Sequence, residues 1–207
     1  MNLITEVASH ELFEAATDPL PFTSPAYNRL DGDHYAWGFV FLSEGGDLCV
    51  QADELTVKPD DIGFSVQRMW SNAYAKLGHD PCVPAVKNTT YFNSAPVLAD
   101  TLTFDDQGQR VTTKGLRIPV GSSKTIDVQL FSDGPSGLWS VTAVDPSSLR
   151  GGEPSPLSFA FDRTTGKNGD VLRLTITRSA GGAGFDAFML QSKLGTERHF
   201  WPGFVGD

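Results

Sequence analysis

The sequence predicts a mainly β protein: a β-sandwich after residue 95, preceded by a small α+β segment with one N-terminal helix. Three observations carry this. The 207 residues include 21 Gly and 13 Pro, too many chain breakers for a coiled coil or a helical bundle. Convincing helical periodicity occurs once, near the N-terminus. Beyond Pro96, short runs of alternating residues are separated by turn signals about every 8–14 residues, the pattern of a sandwich.

The elements follow in order. Over residues 3–16, Ile4, Ala8, Leu12 and Ala16 recur at intervals of four and form an apolar stripe on a helix. Asp18-Pro19 and Pro21 stop it. Residues 20–60 read as irregular, with a strand candidate at 35–42 and turns at Asp31-Gly32-Asp33 and Glu44-Gly45-Gly46. A short helix or strand is expected within 64–77. The sandwich strands are expected at 101–104, 110–118, 125–131, 139–144, 157–161, 171–177, 187–193 and 199–204. Leu172, Leu174 and Ile176 alternate there with Arg173, Thr175 and Thr177. Asp133-Gly134-Pro135 and Lys167-Asn168-Gly169-Asp170 mark turns. The expected division is 1–95 and 96–207.

Composition excludes several functions. A formal charge of −9 without a Lys/Arg block opposes nucleic-acid binding, which depends on phosphate neutralisation. No apolar run is long enough to span a bilayer as a helix. The first eight residues have neither the basic nor the apolar region of a secretory signal, which taken literally reads as cytoplasmic. The two cysteines, Cys49 and Cys82, both sit in turn-rich surroundings. Their spacing leaves two readings equally open: two free thiols, or a disulfide closing a loop worth about 3 kcal/mol.

The chemically pointed motif is His10-Glu11-x-x-Glu14. Residues i and i+4 lie one turn apart on the same helix face, so the His10 imidazole and the Glu14 carboxylate can share one ion. Glu11 beside them can activate water, as the Glu of an H-E-x-x-H zinc site does. With four His in the chain, about 0.005 chance matches of the pattern are expected from composition. The competing reading is a helix surface with ordinary acids and one His. A catalytic zinc needs a third protein ligand, and the acidic stretch Glu44-Gly45-Gly46-Asp47, whose glycines let the backbone turn toward the helix, is the candidate source, although it also reads as a β-turn.

Residues of about 5–85 resemble a known family. Ala8-Ser9-His10-Glu11-Leu12-Phe13-Glu14-Ala15-Ala16-Thr17-Asp18-Pro19, Ala36-Trp37, Glu44-Gly45-Gly46-Asp47-Leu48-Cys49, Val66-Gln67-Arg68-Met69-Trp70-Ser71-Asn72 and Cys82-Val83-Pro84 follow one another in an order similar to the phosphate-induced, EXORDIUM-like proteins. Bacterial secreted proteins with the same S-H-E-x-x-E-A-x-T-D-P signature are similar too. The resemblance implies a secreted protein with a metallopeptidase-like helix binding Zn2+, and a Cys49–Cys82 disulfide. It implies His10, Glu14 and Glu44 as metal ligands, Glu11 as base, and Asp47 as a supporting or substitute ligand. One departure stands out: the metal helix begins almost at Met1, with none of the upstream strands whose edge would bind a peptide. A truncated or vestigial site, with weak or no peptidase activity, is the expectation.

The remaining polar features are plainer. Asp31-Gly32-Asp33-His34 and His79-Asp80-Pro81 read as turns, and His199 as a rim histidine. No hydrolase triad or nucleotide loop is spelled out. In the C-terminal half, Trp139-Ser140-Val141-Thr142 and the turn 161–169 resemble BACON-like and other immunoglobulin-like modules that accompany secreted hydrolases. Trp139 and Phe161 are expected in the core. Trp201, followed by Pro202, is the aromatic expected to contact a glycan. The leading functional expectation is a fragment of a secreted zinc metallopeptidase-like protein acting on a peptide or protein. The alternatives are a non-catalytic extracellular binding or adhesion protein, and a carbohydrate-binding accessory module.

Overall fold

The computed structural model describes residues 2–20, 23–24, 32–41, 44–52, 55–106, 108–146, 155–180 and 184–207. Asp31 of the first expected turn lies outside them.

Helix α1, Asn2–Thr17, runs the length of the expected helix. It contains no Gly or Pro, and Asp18-Pro19 ends it. Its orientation reverses what the apolar stripe suggests. Ile4 and Leu12 are 74% and 71% exposed, whereas Glu14 is buried and His10 half-buried. The helix therefore turns its polar side inward and its apolar side out.

The strand candidate at 35–42 folds instead as helix α2, Tyr35–Phe41, which follows a 3-10 turn at Gly32–His34. The run is apolar throughout, so it carries no alternation to favour a strand. Its buried pairs, Ala36 with Val40 and Trp37 with Phe41, are four apart, one helical turn. A second 3-10 turn, Asp47–Cys49, leads to two small antiparallel pairs. Strand β1, Thr56–Val57, pairs with β2, Val66–Gln67. Strand β3, Met69–Trp70, is followed by helix α3, Asn72–Lys76, and pairs with β4, Cys82–Val83. Ser71 caps α3 by accepting from the Tyr74 amide at 3.4 Å. The stretch 64–77 thus holds both strand and helix.

Ten strands follow: β5 Phe92–Pro96, β6 Asp100–Asp106, β7 Gln109–Arg117, β8 Ser122–Ser132, β9 Trp139–Val144, β10 Leu157–Phe161, β11 Thr165–Gly166, β12 Val171–Arg178, β13 Phe185–Leu194 and β14 Glu197–Gly206. They form a four-stranded sheet, β10-β12-β8-β5, and a six-stranded sheet, β11-β9-β13-β14-β7-β6. Pairing is antiparallel except where β14 runs parallel to β7. All eight expected strands are present. The additions are β5 and the short β11, and between β11 and β12 Gly169 takes the left-handed φ of 83° that its turn requires.

The sandwich core explains the alternation. Leu172, Leu174 and Ile176 of β12 are fully buried against Val128, Trp139, Val141, Phe188, Leu190 and Val205. Each such side chain contributes about 1.5–3 kcal/mol. Trp139 is in the core as expected, its indole N–H donating to Ser94 Oγ at 3.1 Å. At the sandwich end, buried Arg178 pairs with Asp186 at 2.7 Å and donates to the Ile118 carbonyl at 3.2 Å, tying the two sheets together.

The boundary expected at 95/96 falls inside β5, whose residues pair with β8. The sandwich therefore starts at Phe92. The opposite face of the six-stranded sheet is covered by α2 and the turn after it. Trp37, Val40, Phe41 and Leu48 pack there with Met189, Phe200 and Trp201. The earlier residues are thereby seated on the sandwich, and the acidic turn is held where α1 meets it.

Candidate metal centre

Three elements converge on one point. Helix α1 supplies His10 and Glu14, with Nε2 and Oε2 3.0 Å apart. The turn Asp47–Cys49 supplies Asp47, whose Oδ1 is 3.8 Å from the same Nε2. The potential ligand atoms of these three residues lie within 4.8 Å of one another. Strand β2 supplies Gln67, which is 5% exposed. Its Oε1 is 2.9 Å from His10 Nδ1, and its Nε2 donates to the Gly46 carbonyl at 2.8 Å. Its backbone N–H donates to Ser9 Oγ at 2.9 Å, while that hydroxyl donates to the Glu6 carbonyl.

Gly46 makes the close approach of turn to helix possible. A Cβ there would stand 2.6 Å from Glu14 Oε1 and 2.7 Å from His10 Nδ1. The disulfide Cys49–Cys82 is formed, with Cα atoms 5.7 Å apart. It anchors the end of the Asp47 turn to β4, and the Trp70 amide donates to the Gly45 carbonyl at the turn's start.

The electrostatics are lopsided. Burial pushes Glu14 up to about 7; His10 opposes this, the charges of Asp47 and Glu44 push the same way as burial, and the Asp47 backbone amide acts against them. Glu44 and Asp47 are also raised, burial being the largest cause in each. Glu11 and Asp18 add negative charge to this neighbourhood. Glu14 Oε1 is buried and has no hydrogen-bond partner. A buried oxygen of that kind costs about 1–3 kcal/mol. Acidic groups gathered about one imidazole, an orphaned oxygen and a turn set so close to the helix that no Cβ fits at Gly46 together suit a divalent cation. An imidazole with two carboxylates is an acceptable zinc set, and three protein ligands leave a position open.

Of the residues expected at the site, His10, Glu14 and Asp47 are brought together. Glu44 stays outside the 4.8 Å grouping, close enough to act on Glu14 through its charge. Asp47, not Glu44, therefore completes the cluster: three residues on, at the head of the 3-10 turn, it is the acid the turn aims at α1. Glu11 is exposed and acts electrostatically on Asp47 and Glu44, so it borders the cluster from the solvent side. Gln67 and Gly46 carry no spacing signal linking them to His10.

Trp201 is not an exposed aromatic. It is half-buried, edge-on to Trp37 and Phe131 with ring centroids 5.4 and 6.0 Å away. His79 is 3.3 Å from Asp133, and the half-buried His199 lies edge-on to Tyr91 and Phe92.

No family model matches this chain, and no curated protein matches it. Among solved structures it has a likeness to a Bacteroides ovatus GH5 xyloglucanase in complex with a XXXG heptasaccharide. That match has a TM-score of 0.27 and 14% identity over 44% of this chain and 17% of the other. A twitchin kinase fragment from C. elegans, with autoregulated kinase and immunoglobulin domains, gives a TM-score of 0.28 and 13% identity over 58% of this chain and 20% of the other. The chain thus spans a fifth or less of the length of each. Likeness at this level bears on neither fold nor function.

Proposed function

We propose that this chain carries the metal centre of a secreted zinc metallopeptidase-like protein, with His10, Glu14 and Asp47 holding the ion. The observation that carries the reading is the convergence of three ligand atoms within 4.8 Å around a buried, unpartnered Glu14 oxygen. The resemblance to EXORDIUM-like and bacterial secreted proteins supports it from the sequence side. A formed disulfide is consistent with an extracellular location, and no helix among the described residues is long and apolar enough to cross a membrane.

When bound, such an ion supplies Lewis-acid polarisation of a peptide carbonyl and of the attacking water. The chain's own residues do the rest. His10 and Glu14 bind from a rigid helix, and Asp47 closes the set from a turn tied down by the disulfide. Glu11, the solvent-side carboxylate, takes the proton of the attacking water and passes it to the leaving amide nitrogen. The substrate class is a peptide or protein. The glycan-binding alternative has less to support it, because its aromatic, Trp201, is half-buried against Trp37 and Phe131.

The test is metal analysis of purified protein after chelation and zinc reloading. One equivalent is expected in the wild type and none in Glu14→Ala. Glu11→Gln is expected to keep the zinc and to lose whatever peptide hydrolysis the wild type shows. A wild-type protein that takes up no zinc removes the reading.

A further inference from the structure

We infer that Gln67 is the positioning residue of this centre: it selects Nε2 as the ligating atom of His10 and fixes where that atom meets Asp47. This role deepens the metal-binding reading and rests on it. The Gly46 carbonyl can only accept, so the Gln67 group facing it at 2.8 Å is the NH2. That leaves the Gln67 carbonyl oxygen facing His10 Nδ1 at 2.9 Å. A carbonyl also only accepts, so Nδ1 carries the proton. In the neutral ring the lone pair then lies on Nε2, the nitrogen beside Glu14 and Asp47. Without Gln67 the opposite tautomer wins, because an Nε2–H would donate straight to the Glu14 carboxylate at 3.0 Å and block the ligand lone pair. Partners of this kind orient ligating histidines in metal sites generally.

Gln67 also sets spacing. Its backbone amide is tied to Ser9, the residue before His10, and its side chain to Gly46, the residue before Asp47. One buried residue thus registers the helix against the turn, and both ligand-bearing elements move together if it is lost.

Two measurements test this on the full chain: nitrogen chemical shifts of the His10 ring in metal-free protein at alkaline pH, and titration with zinc alone. The wild type is expected to carry the proton on Nδ1. Gln67→Leu should carry it on Nε2 and bind zinc about 10–100-fold more weakly. Gln67→Glu, which keeps an acceptor toward Nδ1, should restore the wild-type tautomer, and it serves as the readout if Gln67→Leu fails to fold. An unchanged tautomer in Gln67→Leu, or loss of the Nδ1–H form in Gln67→Glu, overturns the role. So does zinc affinity in Gln67→Leu within about threefold of a wild type that binds zinc. A wild type that takes up no zinc overturns the metal reading, and this role with it.

Discussion

Replacing Gly46 with alanine is the sharpest perturbation the centre allows, because one methyl touches both helix ligands. The added Cβ would lie 2.6 Å from Glu14 Oε1, 2.7 Å from His10 Nδ1 and 2.9 Å from His10 Cε1. Ordinary contact begins near 3.4 Å, so these atoms must retreat by about 0.5–0.8 Å if the turn holds its place, well beyond the ±0.2 Å that metal–ligand distances tolerate. The backbone itself raises no objection: Gly46 sits at φ −72° and ψ −45°, which alanine adopts freely. Alanine there even removes unfolded-state entropy worth about 0.4–1 kcal/mol. Overpacking costs about 1–3 kcal/mol, so the metal-free protein should lose only about 1 kcal/mol, a small change beside the effect on the ion. Zinc affinity is expected to fall at least 100-fold, about 2.7 kcal/mol. Competitive zinc titration reads the affinity, and urea unfolding reads the stability. Zinc at about 100 times its wild-type dissociation constant should raise wild-type stability by about 2.7 kcal/mol and Gly46→Ala by no more than about 0.4 kcal/mol at the same concentration. A Gly46→Ala protein that binds zinc like the wild type refutes the placement of the ion between Glu14, His10 and the turn.

Other outcomes follow from the same geometry. A carboxylate raised on folding stabilises the folded state below its unfolded pKa and loses that contribution as pH rises through the folded value. Metal-free stability should therefore drop between about pH 4.5 and 7 through Glu14, with Glu44 and Asp47 acting in the same direction. Urea midpoints across that range, compared with Glu14→Gln, check this; an equal slope in the variant refutes it. Replacing Cys49 and Cys82 together with serine should cost about 3 kcal/mol and weaken zinc binding, since the turn bearing Asp47 loses its anchor; zinc titration of a still-folded variant decides the second part. Leu12→Asp, at a position 71% exposed on α1, should change stability by no more than about 0.5 kcal/mol; a large loss in urea unfolding would mean that the stripe is covered. Trp201→Ala should cost at least about 2 kcal/mol, because the ring joins two aromatic clusters, and a stability-neutral outcome would contradict that packing.

How much of this was legible in the sequence depends on the range over which each feature is determined. The sandwich strands were readable because alternation is a local consequence of one buried face, as Leu172, Leu174 and Ile176 demonstrate. The pairing of His10 with Glu14 was readable for the same reason, since one helical turn fixes it. Helix α2 was not, because a uniformly apolar run has no period. The resemblance puts Glu44 ahead of Asp47, whereas the fold groups Asp47 with His10 and Glu14; the two acids are three residues apart in one turn, and only the seating of that turn against α1, close at Gly46, decides which of them meets the helix. Gln67 stands in one of the motifs of the resemblance, but nothing there ties it to the site: it lies 57 residues from His10, and only the fold makes them neighbours. The inverted face of α1 has the same origin. Periodicity reports that a helix is amphipathic, but not which side is turned inward. Burial of the polar side is unfavourable for the chain alone, since it raises Glu14, Glu44 and Asp47 together and leaves Glu14 Oε1 without a partner. A divalent cation reverses each of these penalties at once, for it prefers the carboxylates ionised and gives the orphaned oxygen a partner. The arrangement that weakens the metal-free protein is thus one that favours a bound ion, and this linkage is why zinc and pH should act on stability through the same few residues.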